Sequence, residues 1–484
     1  MSQADNPLLK IGSPVVLPPS GHLALFADTD GVLKQITSAG SRIALWSVGA
    51  NVKSYGARGD GQMAFDAGIT NGSPIVTSAT ALFKSTDVGK TIWVNDPTDG
   101  TNRVAPAKII QWDSATQVRA AVNSSVTKGS CLVVWGTDDT LAFQRAFSDS
   151  ISSVSATSLI SGNPGCVYAP TGNYLISDVI YRNTGTNAQN FGPSFIGDGS
   201  NHTRLFVSPT IPVPANGEPP LIYGVGTGAT FSGFSVNACN RSFPFQTDQG
   251  LIEFASAQKL RLDDIYMTGG ASSAVGSMLR FLGASVYATN VVVQGGVITG
   301  SAMYAMDLTT VAGVFVGCMG SNFNRNVRIQ TQDGRAPLQG PLNWYGTNVD
   351  EGGTSLEIIN GGTVNIHGGF FYSSLVGGTT WAIHVDGTSK AWIRDSNAGR
   401  FGWNVGAVGT ALLVDSGGYV YSSGNTWRGS DSSPAFLINN GTYVDGGGND
   451  YRLYTSPTAF TAKTYAQAST GSTGTKLAPG DVGW

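Results

Sequence analysis

Acidic side chains gather in one part of the sequence, and their spacing suits the hydrolysis of a glycosidic bond. Asp350, Glu351 and Glu357 lie within eight residues of one another, and Asp395 follows further along the chain. Glycoside hydrolysis needs two carboxyl groups, one as acid and one as base or nucleophile. We therefore predict Glu351 with either Glu357 or Asp350 as the acid/base pair, and Asp395 as a further candidate. The alternative interpretation is that these carboxylates cap corners or belong to a row of surface charges.

Aromatic and basic side chains flank these carboxylates. Flat rings pack against the C–H face of a pyranose while their polar edges remain free to form hydrogen bonds. The predicted carbohydrate-binding residues are Trp344, Tyr345, His384, Trp392 and Arg394. Elimination is the alternative chemistry, since a base and a positive charge near a uronate carboxylate are what a lyase needs. The base is then His384 or Tyr345, and the positive charge comes from His384, Arg394 and Arg400.

The composition indicates β structure with many tight corners. The chain has 484 residues, of which 65 are glycine and only 12% are charged, so the charged helix formers are scarce. A net charge of −3 gives no basic surface for nucleic acid, and no apolar run is long enough to span a membrane. The four cysteines and four histidines show no metal-ligand spacing, so we expect reduced cysteines, no metal and no cofactor.

A repeat places the candidate residues on strands. Apolar-x-apolar steps recur every 24 to 29 residues from Ile252 to Phe436, with one gap of 50 that fits two repeats if Val327 begins the missing step. A second apolar step follows each first one after seven or eight residues. A period in the twenties with strands separated by glycine or asparagine corners is typical of a solenoid. The repeat therefore predicts a parallel β-helix.

Alternation along the strands predicts which side chains face outward. The outward positions of the first strands form a charged series, which we expect to be a solvated ladder: Glu253, Arg280, Asp307, Arg328, Glu357 and His384. Those of the second strands are largely aromatic: Arg261, Tyr287, Phe315, Asn365, Trp392 and Tyr421. An outward aromatic series predicts either a subunit interface or a platform for sugar stacking. The excursion from Gln330 to Gly353 is the loop predicted to border the site.

Four motifs open the chain in a fixed order. They are NVKSYGARGDG from Asn51, FKSTDVGKTIWV from Phe83, TDDTLAFQRAF from Thr137 and GCVYAPTGNY from Gly165. Asp60, Asp138 and Asp139 lie in them, and we interpret these carboxylates as structural, with Asp138 or Asp139 capping an amphipathic helix that closes the end of the solenoid. Together the motifs resemble the opening of the pectate-lyase-like right-handed parallel β-helices of bacteriophage tail spikes and polysaccharide depolymerases. The active-site motifs of plant-pectin enzymes are missing, so the resemblance predicts the fold and not their active site.

This resemblance implies an organisation and a set of partners. We expect a virion-attachment segment at 1–46, a β-helix entry with a small β insertion and a capping helix at 47–147, a parallel β-helix at 148–452 and a C-terminal tail at 453–484. The resemblance implies a homotrimer that docks on virion tail or baseplate proteins through its N-terminus and recognises a bacterial surface polysaccharide. The first residues, MSQADNPLLKIG, show no signal-peptide pattern, so we expect synthesis in the host cytoplasm and function in the virion. Binding without cleavage is the alternative function.

Overall fold

A computed structural model describes most of the chain between residues 50 and 454. The described residues are 50–97, 101–152, 165–182, 192–212, 220–238, 249–269, 276–295, 304–321, 323, 325–331, 342–352, 354–373, 380–400, 409–430, 436–438, 441–454 and 460–462. Three antiparallel strands are also described before them: Leu23–Ala27, Leu33–Thr37 and Arg42–Ala44. Most of the predicted attachment segment and C-terminal tail, and the loop residues 332–341, lie outside the described residues.

A small closed barrel follows the first described strand of the coil, Ala50–Asn51, which pairs in parallel with Cys166–Ala169. Short 3-10 helices at Val52–Tyr55 and Ser85–Asp87 precede and interrupt it. The barrel strands are Gln62–Ile69, Ile75–Thr77, Thr91–Asn95, Asn102–Ser114, Gln117–Ala120 and Lys128–Gly136. The small β insertion expected around FKSTDVGKTIWV is therefore present in the structure as part of this barrel.

The helix Thr140–Ser152 packs on the first turns of the coil. Phe143 and Phe147 are buried against Tyr174, Phe195 and Tyr181, with ring centroids 4.8 to 6.0 Å apart. Leu141, which the amphipathic pattern assigned to the same face, is exposed. The buried face of the helix instead includes Ala142 and Phe143, which follow Leu141 in the sequence.

The three predicted structural carboxylates all anchor the backbone around the start of this helix. Asp139 accepts the amides of Arg58 and Gly59 at 2.7 and 3.0 Å, and burial raises its pKa to about 6. Asp138 accepts the Thr140 amide at 3.1 Å. Asp60 accepts the amide and hydroxyl of Thr137. These carboxylates are engaged with backbone and hydroxyl donors, which agrees with the structural interpretation.

The chain then winds into a coil of stacked parallel strands, which confirms the predicted solenoid. One face is a sheet of ten described strands, here called the first strands. They are Tyr181–Arg182, Ile222–Thr227, Gly250–Gln258, Ser277–Leu282, Tyr304–Thr309, Arg325–Gln330, Thr354–Ile359, Thr380–Val385, Gly409–Val414 and Phe436–Ile438. The predicted step at Val327 lies on one of these strands.

A second, bent sheet forms the other two faces. Its early strands are Cys166–Ala169, Gly172–Ile176, Ser194–Gly197, Thr203–Val207 and Thr230–Asn237, and then Leu260–Thr268 and Ser285–Gln294 cross both faces. Later turns divide into second strands at Ala312–Val316, Leu342–Tyr345, Thr363–His367, Lys390–Arg394, Tyr419–Ser423 and Thr442–Asp445. The third strands are Met319–Ser321, Asn348–Gly352, Phe370–Ser373, Asn397–Arg400, Thr426–Ser430 and Asp450–Tyr454, the last paired with Phe460–Ala462.

One left-handed residue per turn makes the corner between the second and third strands. Its φ lies between 50° and 90° throughout the series Asp264, Asn290, Gly317, Gly346, Gly368, Asp395, Gly424 and Gly447. Glycine, asparagine and aspartate are the residues that tolerate this conformation best. These residue types therefore bend the chain at the same corner in successive turns of the coil.

The register of the second strands differs from the prediction at one turn, with a consequence for the core. Gly313 pairs with Val286, so Gly313 takes the inward position and Phe315 also points inward, where it is fully buried. The prediction that Phe315 faces outward is wrong because Gly313 has no side chain to mark the inward position. A Cβ there would lie 1.9 Å from the Val286 carbonyl oxygen. Val314 takes the outward position instead.

Candidate functional site

The outward charges of the first strands form a continuous column, in the predicted order. We call Glu253, Arg280, Asp307, Arg328 and Glu357 the charge column. Each member pairs in register with the next, since successive first strands lie side by side. Every member is buried, with an exposed fraction of at most 9%. The prediction that this series is solvated is therefore wrong, although its order is as predicted. Alternation gives the direction of a side chain but not what covers it.

Asp307 is the centre of this column and is only 1% exposed. Arg328 binds it through two donors, with Nε 3.1 Å from Oδ1 and Nη2 2.6 Å from Oδ2. Arg280 bridges the other side, with Nε 3.2 Å from Asp307 and Nη1 3.1 Å from Glu253. Burial raises the pKa of Glu253, although Arg280 opposes that shift. Two arginines thus neutralise the buried carboxylates of this half of the column.

Glu357 ends the charge column next to Arg325, whose side chain reaches solvent. The Tyr304 hydroxyl donates to Glu357 Oε2 at 2.6 Å, and Arg325 Nη1 lies 3.6 Å from the same oxygen. Burial and the neighbouring Glu357 raise the pKa of Tyr304 to about 12. The Arg328 guanidinium stacks over the Tyr304 ring at 4.5 Å. Since the Arg325 side chain is 47% exposed, the Glu357 end of the column borders solvent.

The next turn adds a histidine–carboxylate pair. His384 follows Glu357 in register, and its Nε2 lies 2.8 Å from Asp415 Oδ2. Trp381 lies 5.6 Å from the His384 ring between centroids, and within the described part of the chain its buried indole N–H has no hydrogen-bond partner. The first-strand face therefore brings two carboxylates, an imidazole and an indole together over neighbouring turns.

A second set of candidate residues lies on the face of the second strands. Tyr345, His367, Arg394 and Tyr421 form what we call the ring row. Tyr345 and His367 stack with centroids 5.1 Å apart and planes 14° from parallel, and Tyr345 is 40% exposed. Arg394 continues the row, with Nη1 3.4 Å from His367 Nε2 and its guanidinium 5.6 Å from the centre of the Tyr421 ring. The row thus places exposed Tyr345 next to three half-buried groups on successive turns of the coil.

Further polar and aromatic groups border the ring row. Trp392 is half-buried and lies 5.9 Å from Tyr419 between ring centroids. On the two turns that precede Trp392, the Asn365 side chain donates a hydrogen bond to Asn343 Oδ1 at 3.0 Å. Rings flanked by amides are a chemically suitable surface for a sugar chain, because rings take the apolar faces and amides take the hydroxyls.

The structure divides the predicted site residues among several places. Glu357 and His384 lie together on the first-strand face, whereas Tyr345, Trp392 and Arg394 lie together on the second-strand face. Asp395 takes the left-handed corner beyond Arg394 and is exposed. Asp350 and Glu351 lie on the third strand Asn348–Gly352, where only their backbone is described. The candidates thus do not form a single cluster.

Trp344 has a different place from the one predicted. Its side chain is fully buried in the core, 6.0 Å from Phe315 between ring centroids. It pairs in register with Phe315 and Ile366, which also point inward, so it has no face for a sugar. The predicted binding role of Trp344 is wrong because the strand Leu342–Tyr345 belongs to the coil rather than to a loop.

The sequence patterns did not predict several residues of the two faces. His367 lies two positions after outward Asn365 on one strand, so the same alternation would have found it. Asp415 lies two positions after Leu413, which pairs in register with outward His384. Tyr304 and Arg325 begin their strands ahead of two successive buried residues, which breaks the alternation and hides their direction.

No protein-family model and no curated protein matches the chain. Among solved structures it is similar to ORF18 of Geobacillus virus E2, with 13% identity and a TM-score of 0.31 over 90% of this chain and 70% of that one. It is similar to full-length tailspike protein 2 of an Escherichia coli O157:H7 bacteriophage, with 13% identity and a TM-score of 0.37 over 91% and 54%. It is also similar to the catalytic domain of a GH87 α-1,3-glucanase, with 10% identity and a TM-score of 0.34 over 80% and 89%. The chain is a β-solenoid with structural similarity to phage tailspike proteins and to a glycoside hydrolase.

Proposed function

We propose that this protein is a phage tail spike that binds a bacterial surface polysaccharide and cleaves it by glycoside hydrolysis during host attachment. The ring row carries this proposal, because stacked and partly exposed rings on successive turns suit an extended sugar chain laid along the coil. The opening motifs support the assignment to tail spikes. No helix in the described residues is both long and apolar enough to span a membrane.

Glu357 is the residue that we propose for the chemistry. The Tyr304 hydroxyl and the Arg325 guanidinium both approach its Oε2, an arrangement suited to an ionised base or nucleophile. The acid partner is then Glu351 or Asp350, on the strand that directly precedes the Glu357 strand in the coil. Asp395 stays a candidate on the other side of the coil.

Binding without cleavage is the second candidate function. The pairing of Asp307 and Glu253 with arginines favours it, because buried and neutralised carboxylates hold the fold together without doing chemistry. The assay that separates the candidates is the release of reducing ends from purified polysaccharide, with absorbance at about 235 nm as the sign of elimination. Binding with neither signal would leave the tail spike without an enzymatic function.

We expect Tyr345→Ala to weaken polysaccharide binding by about twofold to twelvefold, because one stacking ring contributes about 0.5–1.5 kcal/mol. The measurement is the dissociation constant for polysaccharide from a strain that the protein binds. Tyr287→Ala is the matched control, since Tyr287 is a similarly exposed tyrosine on the same face, outside the ring row. Equal losses in both variants would contradict the assignment of binding to the ring row.

We expect the full chain to be a homotrimer in solution, attached to the virion through its N-terminal segment. Light scattering coupled to size exclusion should give three times the chain mass of 50.2 kDa. A homotrimer also matters for the ring row, because an outward aromatic surface suits a subunit interface as well as a sugar. A mass equal to one chain would contradict the proposed assembly.

A further inference from the structure

We infer that Arg394 is the charged contact for a polysaccharide that carries carboxylate groups, so that the ligand of the ring row is an acidic polymer. This inference rests on the proposed function and narrows its substrate class. It starts from one property that separates Arg394 from the arginines of the first-strand face. Arg280, Arg325 and Arg328 each have a carboxylate partner within 3.6 Å, whereas Arg394 has none in the part of the chain that the structure describes.

The two described side-chain neighbours of Arg394 position its guanidinium without neutralising it. A guanidinium only donates hydrogen bonds, so His367 Nε2 is the acceptor in the 3.4 Å contact. The Tyr421 ring lies 5.6 Å from the guanidinium and attracts it through its π face. Both contacts orient the cation, and neither brings a negative charge to it.

The nearest acidic residue in sequence does not take that role. Asp395 occupies the left-handed corner, and its carboxylate lies beside Gly424 on the neighbouring turn. Within the described residues Asp395 forms no ion pair with Arg394. Arg394 is therefore a half-buried residue whose guanidinium has no counter-charge among the described residues, and an anionic ligand would supply one.

A sugar carboxylate is an anion that suits the chemistry of the row. Arginine presents parallel N–H donors that match the two oxygens of a carboxylate. Tyr345 is 40% exposed, so the part of its ring that His367 does not cover can pack against the apolar side of a sugar unit. A neutral polysaccharide would use the rings but would leave the guanidinium uncompensated. Hence we expect binding to need both the rings and the carboxylates.

The test uses the full chain and purified bacterial capsular polysaccharides that contain uronic acids. Each polymer is measured in its native form and after chemical reduction of its carboxyl groups, with dextran as a neutral polymer. We expect binding of a native acidic polymer to weaken at least about tenfold after carboxyl reduction, since a charge-assisted contact is lost. Arg394→Gln should weaken binding of the native polymer similarly and change binding of the reduced polymer little.

Two further variants keep the result interpretable. Arg204→Gln removes an exposed charge from an earlier strand of the same sheet and should leave binding unchanged. Arg394→Lys keeps the charge but not the paired donors, and should bind with intermediate affinity. Binding that is indifferent to carboxyl reduction and to Arg394→Gln would overturn the inference while leaving the proposed function standing. Dissociation of the assembly by Arg394→Gln would overturn it in favour of a subunit contact, and no binding to any polysaccharide would overturn the proposed function as well.

Discussion

Asp307→Asn is expected to lower the free energy of unfolding by about 3–5 kcal/mol, the cost of breaking a buried ion pair from one side. The substitution keeps the shape of the side chain and removes its charge. Arg280 and Arg328 then remain buried, each having lost a partner that lay within 3.2 Å. Since both arginines sit between carboxylates on successive turns, the loss affects three adjacent strands of the first-strand sheet at once. Chemical denaturation followed by circular dichroism measures the change.

A double substitution separates the buried charge from any effect of asparagine itself. Arg328→Gln also removes the guanidinium that Asp307 neutralises, so Asp307→Asn with Arg328→Gln should cost less than the sum of the single changes by about 1 kcal/mol or more. Asp178→Asn is the matched control, because Asp178 is exposed and its described contact is the amide of Val179. The control should change stability by no more than about 0.5 kcal/mol. A loss at Asp307 no larger than at Asp178 would show that the charge column contributes nothing to stability.

The order of the charge column was predictable, and its burial was not. Alternation along each strand and the constant period put Glu253, Arg280 and Asp307 on one line, because both features are local properties of the sequence. Burial depends on what lies over that line. The ring of Tyr304 covers Arg328, and the start of its strand departs from simple alternation. A pattern of polar and apolar residues carries no information about such a cover.

The second-strand face was predictable wherever a side chain marks the inward position. Trp392 and Tyr421 were assigned to their observed outward register for this reason. Gly313 has no side chain to mark the inward position, so the pattern predicts an outward Phe315, whereas Phe315 points inward in the structure. The ten residues 332–341 then separate a first strand from its second strand, so Trp344 was assigned to a loop instead of the core. Contacts between side chains on different turns, such as His384 with Asp415, depend on rotamers that no sequence pattern specifies.

Glu357→Gln is expected to reduce the release of reducing ends from the polysaccharide by about 10²–10⁴-fold, as the loss of a general base does. Glutamine keeps the volume of the side chain and accepts the Tyr304 hydroxyl, so the fold and binding should change much less than turnover. The measurement pairs the turnover rate with the dissociation constant for the same polymer. A fall in rate with unchanged binding assigns Glu357 to the reaction and not to recognition.

Glu253→Gln is the matched control for the prediction on Glu357→Gln. Both glutamates belong to the charge column, both are buried, and both lie within 3.6 Å of an arginine nitrogen. They differ in position, since Glu357 lies next to the His384–Asp415 pair and half-exposed Arg325, whereas Glu253 lies at the opposite end of the column. A structural column predicts similar losses of stability for both variants and no specific loss of turnover. A reactive Glu357 predicts loss of turnover in that variant alone, and equal turnover in both would remove Glu357 from the proposed mechanism.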